Sequence, residues 1–306
     1  MTPIIQAYEL TKRFGDTLAV DSVDLNVERG EIYGFLGLNG AGKTTTIRSL
    51  LGMIRPTRGS VMLFGVPVGP GGRGPWDRVG HMVEAPAAYP ELSVCQNLEI
   101  AARLRGARKG SGAISATIER FGLAEDADRR AGTLSSGNLQ RLGLARAFIH
   151  DPELVLLDEP ASNLDPAGVV EIREFLRTIC RERGATVFMS SHILSEVDRL
   201  ATRIGIIHKG RLIEELGTAE LDRLRARKLL IQARDPVAAR SALERGGYEI
   251  SEEQADGSLV LEGTKALESP DEVAVVLVNA GTPPTRLALI HEDLEEHFLR
   301  LTGGLR

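Results

Sequence analysis

Gly37-Leu38-Asn39-Gly40-Ala41-Gly42-Lys43-Thr44 follows the spacing G-x-x-x-x-G-K-[ST]. These residue types suit a polyanion. Glycines let backbone N–H groups converge on phosphate oxygens with no Cβ in the way. A helix starting at the end of the loop adds about half a positive charge from its dipole. Lys43 can reach β- and γ-phosphates, Thr44 can turn a hydroxyl toward Mg²⁺, and Thr45 continues the binding run. A chance glycine turn would spell the same letters. Here, however, the run lies between an apolar strand candidate, Ile32–Leu36, and a helical segment, as a phosphate loop must. The implied ligand is a nucleoside triphosphate with its magnesium.

A second group complements the first. Leu154-Val155-Leu156-Leu157 is an unbroken apolar run that ends in Asp158-Glu159. An aspartate at the carboxyl end of a buried strand can hold Mg²⁺, directly or through water. The adjacent Glu159 can polarise an attacking water. Two acids at a strand end mean little alone; behind a phosphate loop they read as the other half of a hydrolytic site.

The elements that position these residues alternate short apolar runs with helical patterns. Thr186–Met189, ending at Ser190, is a third strand candidate, and the set predicts a parallel sheet covered on both faces. Asp165 caps a helix with Pro166 in its first turn, and Ile172, Phe175, Leu176 and Ile179 follow the 3.6-residue period. Gly184 ends it. A further helix follows His192, with Leu194, Val197, Leu200 and Ala201 on one face. Between residues 85 and 150 the pattern is helical. Ser93 and Gln96 have capping-box spacing for a helix through Leu104. Gly69–Gly74 reads as a loop.

With these elements in place, Leu134-Ser135-Ser136-Gly137-Asn138-Leu139-Gln140-Arg141 resembles the signature motif of ATP-binding cassette proteins. It lies just before the Asp158 strand, as in that family. The loop Ser162-Asn163-Leu164-Asp165 and His192 then follow in the family's order, and the resemblance spans residues 4–216. It implies an α/β phosphate-loop NTPase cassette, a mixed sheet with a helical subdomain at about 85–150, that hydrolyses ATP with Mg²⁺. Lys43 and Thr44 would hold phosphates and metal, Asp158 would face the metal, Glu159 would be the catalytic carboxylate, and His192 would contact the γ-phosphate. Phe14 falls where the family stacks an aromatic on adenine. Such cassettes pair head to tail, most simply as a homodimer here, so that Ser135 and Gly137 of one complete the site of the other.

Three positions depart from the family pattern. Ser136 and Asn138 replace a glycine and a glutamine of the signature. In His81-Met82-Val83-Glu84-Ala85-Pro86, Glu84 stands where the family places a glutamine. A carboxylate can accept from water and bind Mg²⁺ but cannot donate as an amide can. Glu84, with Ala85-Pro86 and Tyr89-Pro90 behind it, resembles the bacitracin- and lantibiotic-type exporter ATPases. That resemblance implies a subunit on the cytoplasmic face of the membrane, driving a separate permease that exports a peptide antibiotic or other drug-like substrate. Glu84 and the 85–100 segment would be its coupling surface.

Composition bounds the rest. The chain has 306 residues, 42% of them apolar and 4% aromatic. No apolar run approaches the ~18 residues needed to span a bilayer. Cys95 and Cys180 form no metal-ligand spacing and fit a reducing cytosol. The net charge of −5 lies wholly in residues 217–306, which hold sixteen acidic and eleven basic side chains; residues 1–216 are neutral. A basic footprint for nucleic acid is absent. The alternative of a soluble cassette ATPase acting on ribosomes or DNA would also favour two cassettes in one chain or a long coiled coil, and neither is present.

The acidic remainder reads as a separate α+β domain, 217–306. Leu229–Gln232, Tyr248–Ser251, Ser258–Glu262 and Arg286–Ile290 are its expected strands. Asp235-Pro236 and Ser269-Pro270-Asp271-Glu272 open helices, the second with capping-box spacing. The order suggests a ferredoxin-like split βαβ unit. A last helix is expected over Asp293–Thr302.

Overall fold

The computed structural model describes residues 3–69, 74–84, 86–106, 111–218, 220–221, 227–291 and 294–303. Most of the expected loop at Gly69–Gly74, Ala85, and Asp293 at the start of the last expected helix lie outside them. The chain forms two compact units, residues 1–218 and 219–306.

The first unit opens with a hairpin that the sequence reading did not resolve. Strands β1 (Ile5–Phe14) and β2 (Thr17–Val27) pair antiparallel from Ile5↔Val27 to Phe14↔Thr17. Next come β3 (Ile32–Leu36), the helix α1 (Lys43–Leu50), β4 (Arg58–Leu63) and β5 (Val66–Pro67). The first sheet has the order β2-β1-β4-β5.

Strand β3 belongs to a second sheet. Its other members are β6 (Val79–Met82), β7 (Leu154–Asp158), β8 (Thr186–Ser191), β9 (Arg203–His208) and β10 (Arg211–Gly217). Their order is β10-β9-β3-β8-β7-β6. All neighbours are parallel except β10, which returns antiparallel along β9. The sheet is therefore mixed. Strands β3, β7 and β8 are buried at every position, which explains their uninterrupted apolar runs.

One core joins the two sheets. Ile5, Leu25 and Leu63 of the first meet Ile47 and Leu50 of α1 and Tyr33, Phe35, Leu156 and Phe188 of the second. Tyr33 and Phe188 stack with centroids 5.2 Å apart. Burying each such side chain stabilises by roughly 1.5–3 kcal/mol. On the other face, helix α6 (Leu194–Leu200) lies so close to β3 that a Cβ on Gly34 would sit 2.1 Å from Val197 Cγ1.

Helices α2 (Val94–Leu104), α3 (Ser111–Arg120) and α4 (Ser136–Phe148) form the expected helical segment. Ser93 and Gln96 make the expected capping box on α2. Helix α5 (Pro166–Arg183) has Asp165 as its cap, accepting from Gly168 N at 3.0 Å, and ends at the left-handed Gly184. Phe175 of α5 meets Phe121 and Phe148 edge-on.

The second unit contains β11 (Arg227–Ala233), α7 (Pro236–Arg245), β12 (Glu252–Glu253), β13 (Leu259–Leu261), α8 (Thr264–Glu268), α9 (Pro270–Asn279), β14 (Pro284–His291) and α10 (Leu294–Thr302). Its sheet is antiparallel, in the order β12-β13-β11-β14, with helices between the strands. Helix α10 buries Leu294 and Phe298, and its Glu296 pairs with Lys228 of β11 at 3.1 Å.

Two local expectations fail here. Tyr248–Ser251 is not a strand. Tyr248 instead packs in the core, and pairing begins with Ser251 N donating to Val260 O, leaving only Glu252–Glu253 in the ladder. Ser269 does not cap α9 through its side chain. Its backbone continues α8, with Ser269 N donating to Lys265 O, and only its carbonyl accepts from Glu272 N. The short helix α8, absent from the expected elements, holds Ser269 in that geometry.

Candidate nucleotide site

Strands β3, β8 and β7 are side by side, so the loops that leave their carboxyl ends share one rim. Open parallel sheets bind ligands at that rim. Gly37–Gly42 leaves β3 there, His192 follows Ser191 at the end of β8, and Glu159 follows Asp158 at the end of β7.

The glycine loop is held from behind. Ala41 O accepts from Gly210 N at 2.9 Å. Gly42 has φ 111°, and a Cβ on it would sit 2.5 Å from Ala19 O of β2. Only glycine fits both demands. Helix α1 starts at Lys43 without any side-chain cap, so its first N–H groups remain available to an anion. Gly40 and Asn39 are exposed, whereas Ala41 is buried.

The expected chemical residues form one connected chain. Thr44 Oγ1 donates to Asp158 Oδ2 at 2.7 Å. Asp158 Oδ1 accepts from Ser190 Oγ at 2.5 Å. Lys43 Nζ donates to Gly37 O at 2.7 Å and lies 3.6 Å from Glu159 Oε1. Glu159 Oε2 is 2.9 Å from His192 Nδ1. Lys43 is only 6% exposed. That burial pulls its ammonium below the usual lysine range, while Glu159 and Asp158 oppose the shift.

The other expected residues occupy different places. Phe14 ends β1, exposed, with Lys12 Nζ 4.8 Å from its ring centre. Glu84, at φ 60°, forms an ion pair with Arg48 of α1. Its carboxylate is engaged one turn beyond Thr44. Ser135 caps α4, its Oγ accepting from Asn138 N at 3.2 Å. Gly137 lies against the Ser162–Asp165 loop, where a Cβ would sit 3.2 Å from Asn163 O. Asn138, one of the departures, donates to Asp126 Oδ2 at 2.6 Å and so ties α4 to the preceding turn.

The donor set for a metal is sparse. Among the described residues no three His, Cys, Asp or Glu side chains cluster as metal ligands. Thr44 Oγ1 and Asp158 suit Mg²⁺, which keeps waters and takes its remaining oxygens from substrate phosphates.

Two residues escaped the sequence reading. Ser190 bonds Asp158 and also accepts from Glu159 N at 3.1 Å. Gln140, 1% exposed on α4, donates to Glu159 O and Pro160 O. The polar end of the β8 apolar run could have flagged Ser190. The signature motif contained Gln140 but gave no sign that it turns inward.

Fold and site together define a phosphate-loop ATPase of the cassette type. Comparison with known proteins agrees. The ABC transporter family matches residues 20–162. The bacitracin transport ATP-binding protein BcrA of Bacillus licheniformis is 38% identical over 304 residues, 99% of each chain. The daunorubicin resistance ATP-binding protein DrrA3 of Streptomyces coeruleorubidus is 36% identical, over 96% of this chain and 94% of its own. Among solved structures, an ATP-binding subunit of an ABC transporter superposes with TM-score 0.65 at 26% identity, over 72% of this chain and 92% of its own. A dimeric cassette with ADP and phosphate gives 0.65 at 23%, over 70% and 98%. The chain belongs to the ATP-binding subunits of ABC transporters, which bind and hydrolyse ATP to drive transport. Among the described residues no helix is long and apolar enough to cross a membrane.

Proposed function

We propose that this chain powers an exporter for a peptide antibiotic or a similar drug-like compound, through a separate membrane permease. Likeness over nearly the full length to a bacitracin transport ATP-binding protein and a daunorubicin resistance ATP-binding protein supports the substrate class. The observation that carries the catalytic part is the linked set Thr44–Asp158, Lys43–Glu159 and Glu159–His192. The glycine loop and Lys43 bind the phosphates. Thr44 and Asp158 hold Mg²⁺, with Glu84 reaching it once released from Arg48. Glu159 takes the proton of the attacking water, and His192 holds Glu159 and the γ-phosphate. Phe14 stacks on adenine.

Residues 1–216 are the cassette and 217–306 an accessory domain. Two cassettes pair head to tail. The α4 N-terminus, with Ser135 and Gly137, then offers oriented N–H groups to the partner's γ-phosphate. The pair sits on the cytoplasmic face of the membrane.

The test is purification from membranes under mild detergent. A polytopic partner should accompany the chain and raise its ATP turnover. A chain recovered with RNA or DNA, whose ATPase ignores every candidate permease, would overturn the reading.

A further inference from the structure

Ser190 is wholly buried at the polar end of the β8 apolar run. A buried hydroxyl is costly unless it is bonded. In the register of β7 and β8, Ser190 stands opposite Asp158. Its hydroxyl has one hydrogen, and that hydrogen goes to Asp158 Oδ1 at 2.5 Å. A lone pair of the same oxygen accepts from Glu159 N at 3.1 Å. One side chain therefore touches both consecutive acids of the site, the first at its carboxylate and the second at its backbone.

The first bond reaches further. Asp158 is 6% exposed, and its other oxygen, Oδ2, accepts from Thr44 Oγ1 at 2.7 Å. With Ser190 on Oδ1, the carboxylate is held from both sides and cannot turn without losing a bond. Thr44 has likewise given its only hydrogen to Asp158, so the lone pairs it has left are what a hard cation takes. Outer partners of this kind orient a metal's ligands and tune its affinity. The order Ser190–Asp158–Thr44 runs from the interior of β8 to the first turn of α1.

The second bond acts on the base. Glu159 adopts φ 50°, a left-handed conformation that a non-glycine residue keeps only where its surroundings impose it. Its N–H is shared between Ser190 O at 3.2 Å and Ser190 Oγ at 3.1 Å. Gln140 works from the other side, on the carbonyl oxygens of Glu159 and Pro160. Of these two supports, Ser190 is the one that also bonds Asp158.

We propose that Ser190 is a positioning residue that sets the magnesium ligands and the base together. Its hydroxyl turns Asp158 toward Thr44 and the metal, and the same oxygen pins the backbone that aims Glu159. This rests on the reading that Thr44 and Asp158 hold Mg²⁺ and that Glu159 takes the proton.

The test is Ser190→Ala in the full-length chain, read in two ways. Thermal melts with ADP across a Mg²⁺ titration give the Mg²⁺ concentration at half of the stabilisation, with no turnover involved. That midpoint should rise by about 10–100-fold. At saturating Mg²⁺, kcat should fall by ~10–10² while the KM for ATP stays near wild type. Ser190→Thr, which keeps the hydroxyl, should recover most of both. Gln140→Ala should lower kcat and leave the Mg²⁺ midpoint in place. In a Glu159→Gln background, Ser190→Ala should slow turnover little further yet still shift the midpoint. Melts without nucleotide verify that each variant is folded. If Asp158→Asn leaves the Mg²⁺ midpoint unchanged, or Glu159→Gln hydrolyses ATP at the wild-type rate, the reading of the site falls and this proposal with it. If both controls respond and Ser190→Ala matches the wild type in midpoint and kcat, this proposal falls alone. If only one of the two moves, Ser190 serves one acid and the joint role is overturned.

Discussion

Gln140, in the signature helix α4, donates its side-chain amide to the carbonyl oxygens of Glu159 at 3.2 Å and Pro160 at 3.1 Å. Glu159 has φ 50°, a left-handed conformation that costs a non-glycine residue about 1–3 kcal/mol. Its surroundings fix it there. Its N–H donates to Ser190 O and Oγ, and its C=O also accepts from Ser162 Oγ at 2.8 Å. The carboxylate between Lys43 and His192 is therefore aimed by its own backbone.

Removing that support should misdirect the carboxylate without touching the phosphate loop. Gln140→Ala is expected to lower kcat by ~10–10², within the range that small misplacements of reacting groups produce. The KM for ATP and the thermal shift on ATP binding should stay near wild type. Steady-state kinetics and thermal melts read both. A kcat at the wild-type level would remove Gln140 from the mechanism.

Glu159→Gln keeps the size of the side chain and its reach toward His192 but cannot take a proton. Turnover should fall by ~10²–10⁴, the usual span for losing a general base, while ATP still binds. Single-turnover measurements should locate the loss in the chemical step. Undiminished hydrolysis would reassign the base.

Lys43→Ala acts earlier. At an ATP concentration of 100 times its Kd, binding stabilises a protein by about 2.7 kcal/mol. The variant should lose most of that shift in a melt with ATP, while its melt without nucleotide stays cooperative. A full ATP-dependent shift would mean that the loop backbone binds without the lysine.

His81 supplies a pH dependence. Burial and the Arg105 guanidinium, whose Nη2 donates to His81 Nδ1 at 2.8 Å, lower its pKa from 6.5 to about 4 in the fold. Between those values the unfolded chain binds a proton that the native ring refuses, so this ring's contribution to stability falls as pH drops from 6.5 toward 4. It is level above 6.5. Ring chemical shifts should titrate near 4, and urea midpoints should decline over that window less steeply in His81→Gln. A ring titrating at 6.5 would contradict the bond from Arg105.

Phe188 is fully buried and stacks on Tyr33 in the core that joins the two sheets. Phe188→Ala should cost ~3–5 kcal/mol, as large aromatic truncations do. Urea denaturation would show the midpoint move with little change in slope.

The catalytic face of this protein was open to sequence reading because its chemistry forces residue types. A phosphate loop requires its glycines, lysine and threonine, and a strand buried on both faces must be apolar, as β3, β7 and β8 are. The hairpin of β1 and β2 was harder. Register shifts near Ala7, Leu10 and Lys12 break its alternation. Tyr248 and Ile250, two residues apart, alternate as in a strand, whereas the Tyr248 ring packs in the small core of the second unit. Gln140 and the Arg105–His81 bond were hidden for another reason. Their meaning lies in partners 19 and 24 residues away, which no local pattern encodes.

The pairing of β3 with β8 has a kinetic side. Residues 32–36 must find residues 187–191, and Asp158 must come level with Ser190, before Thr44, Asp158 and Glu159 face one another. Contacts so distant in sequence form late and slowly. The nucleotide site is thus expected to be among the last features to appear during refolding, which pulse-labelling hydrogen exchange would read. ATP should slow unfolding without speeding folding, and a chain stalled before the β3–β8 pairing would be invisible to its own ligand.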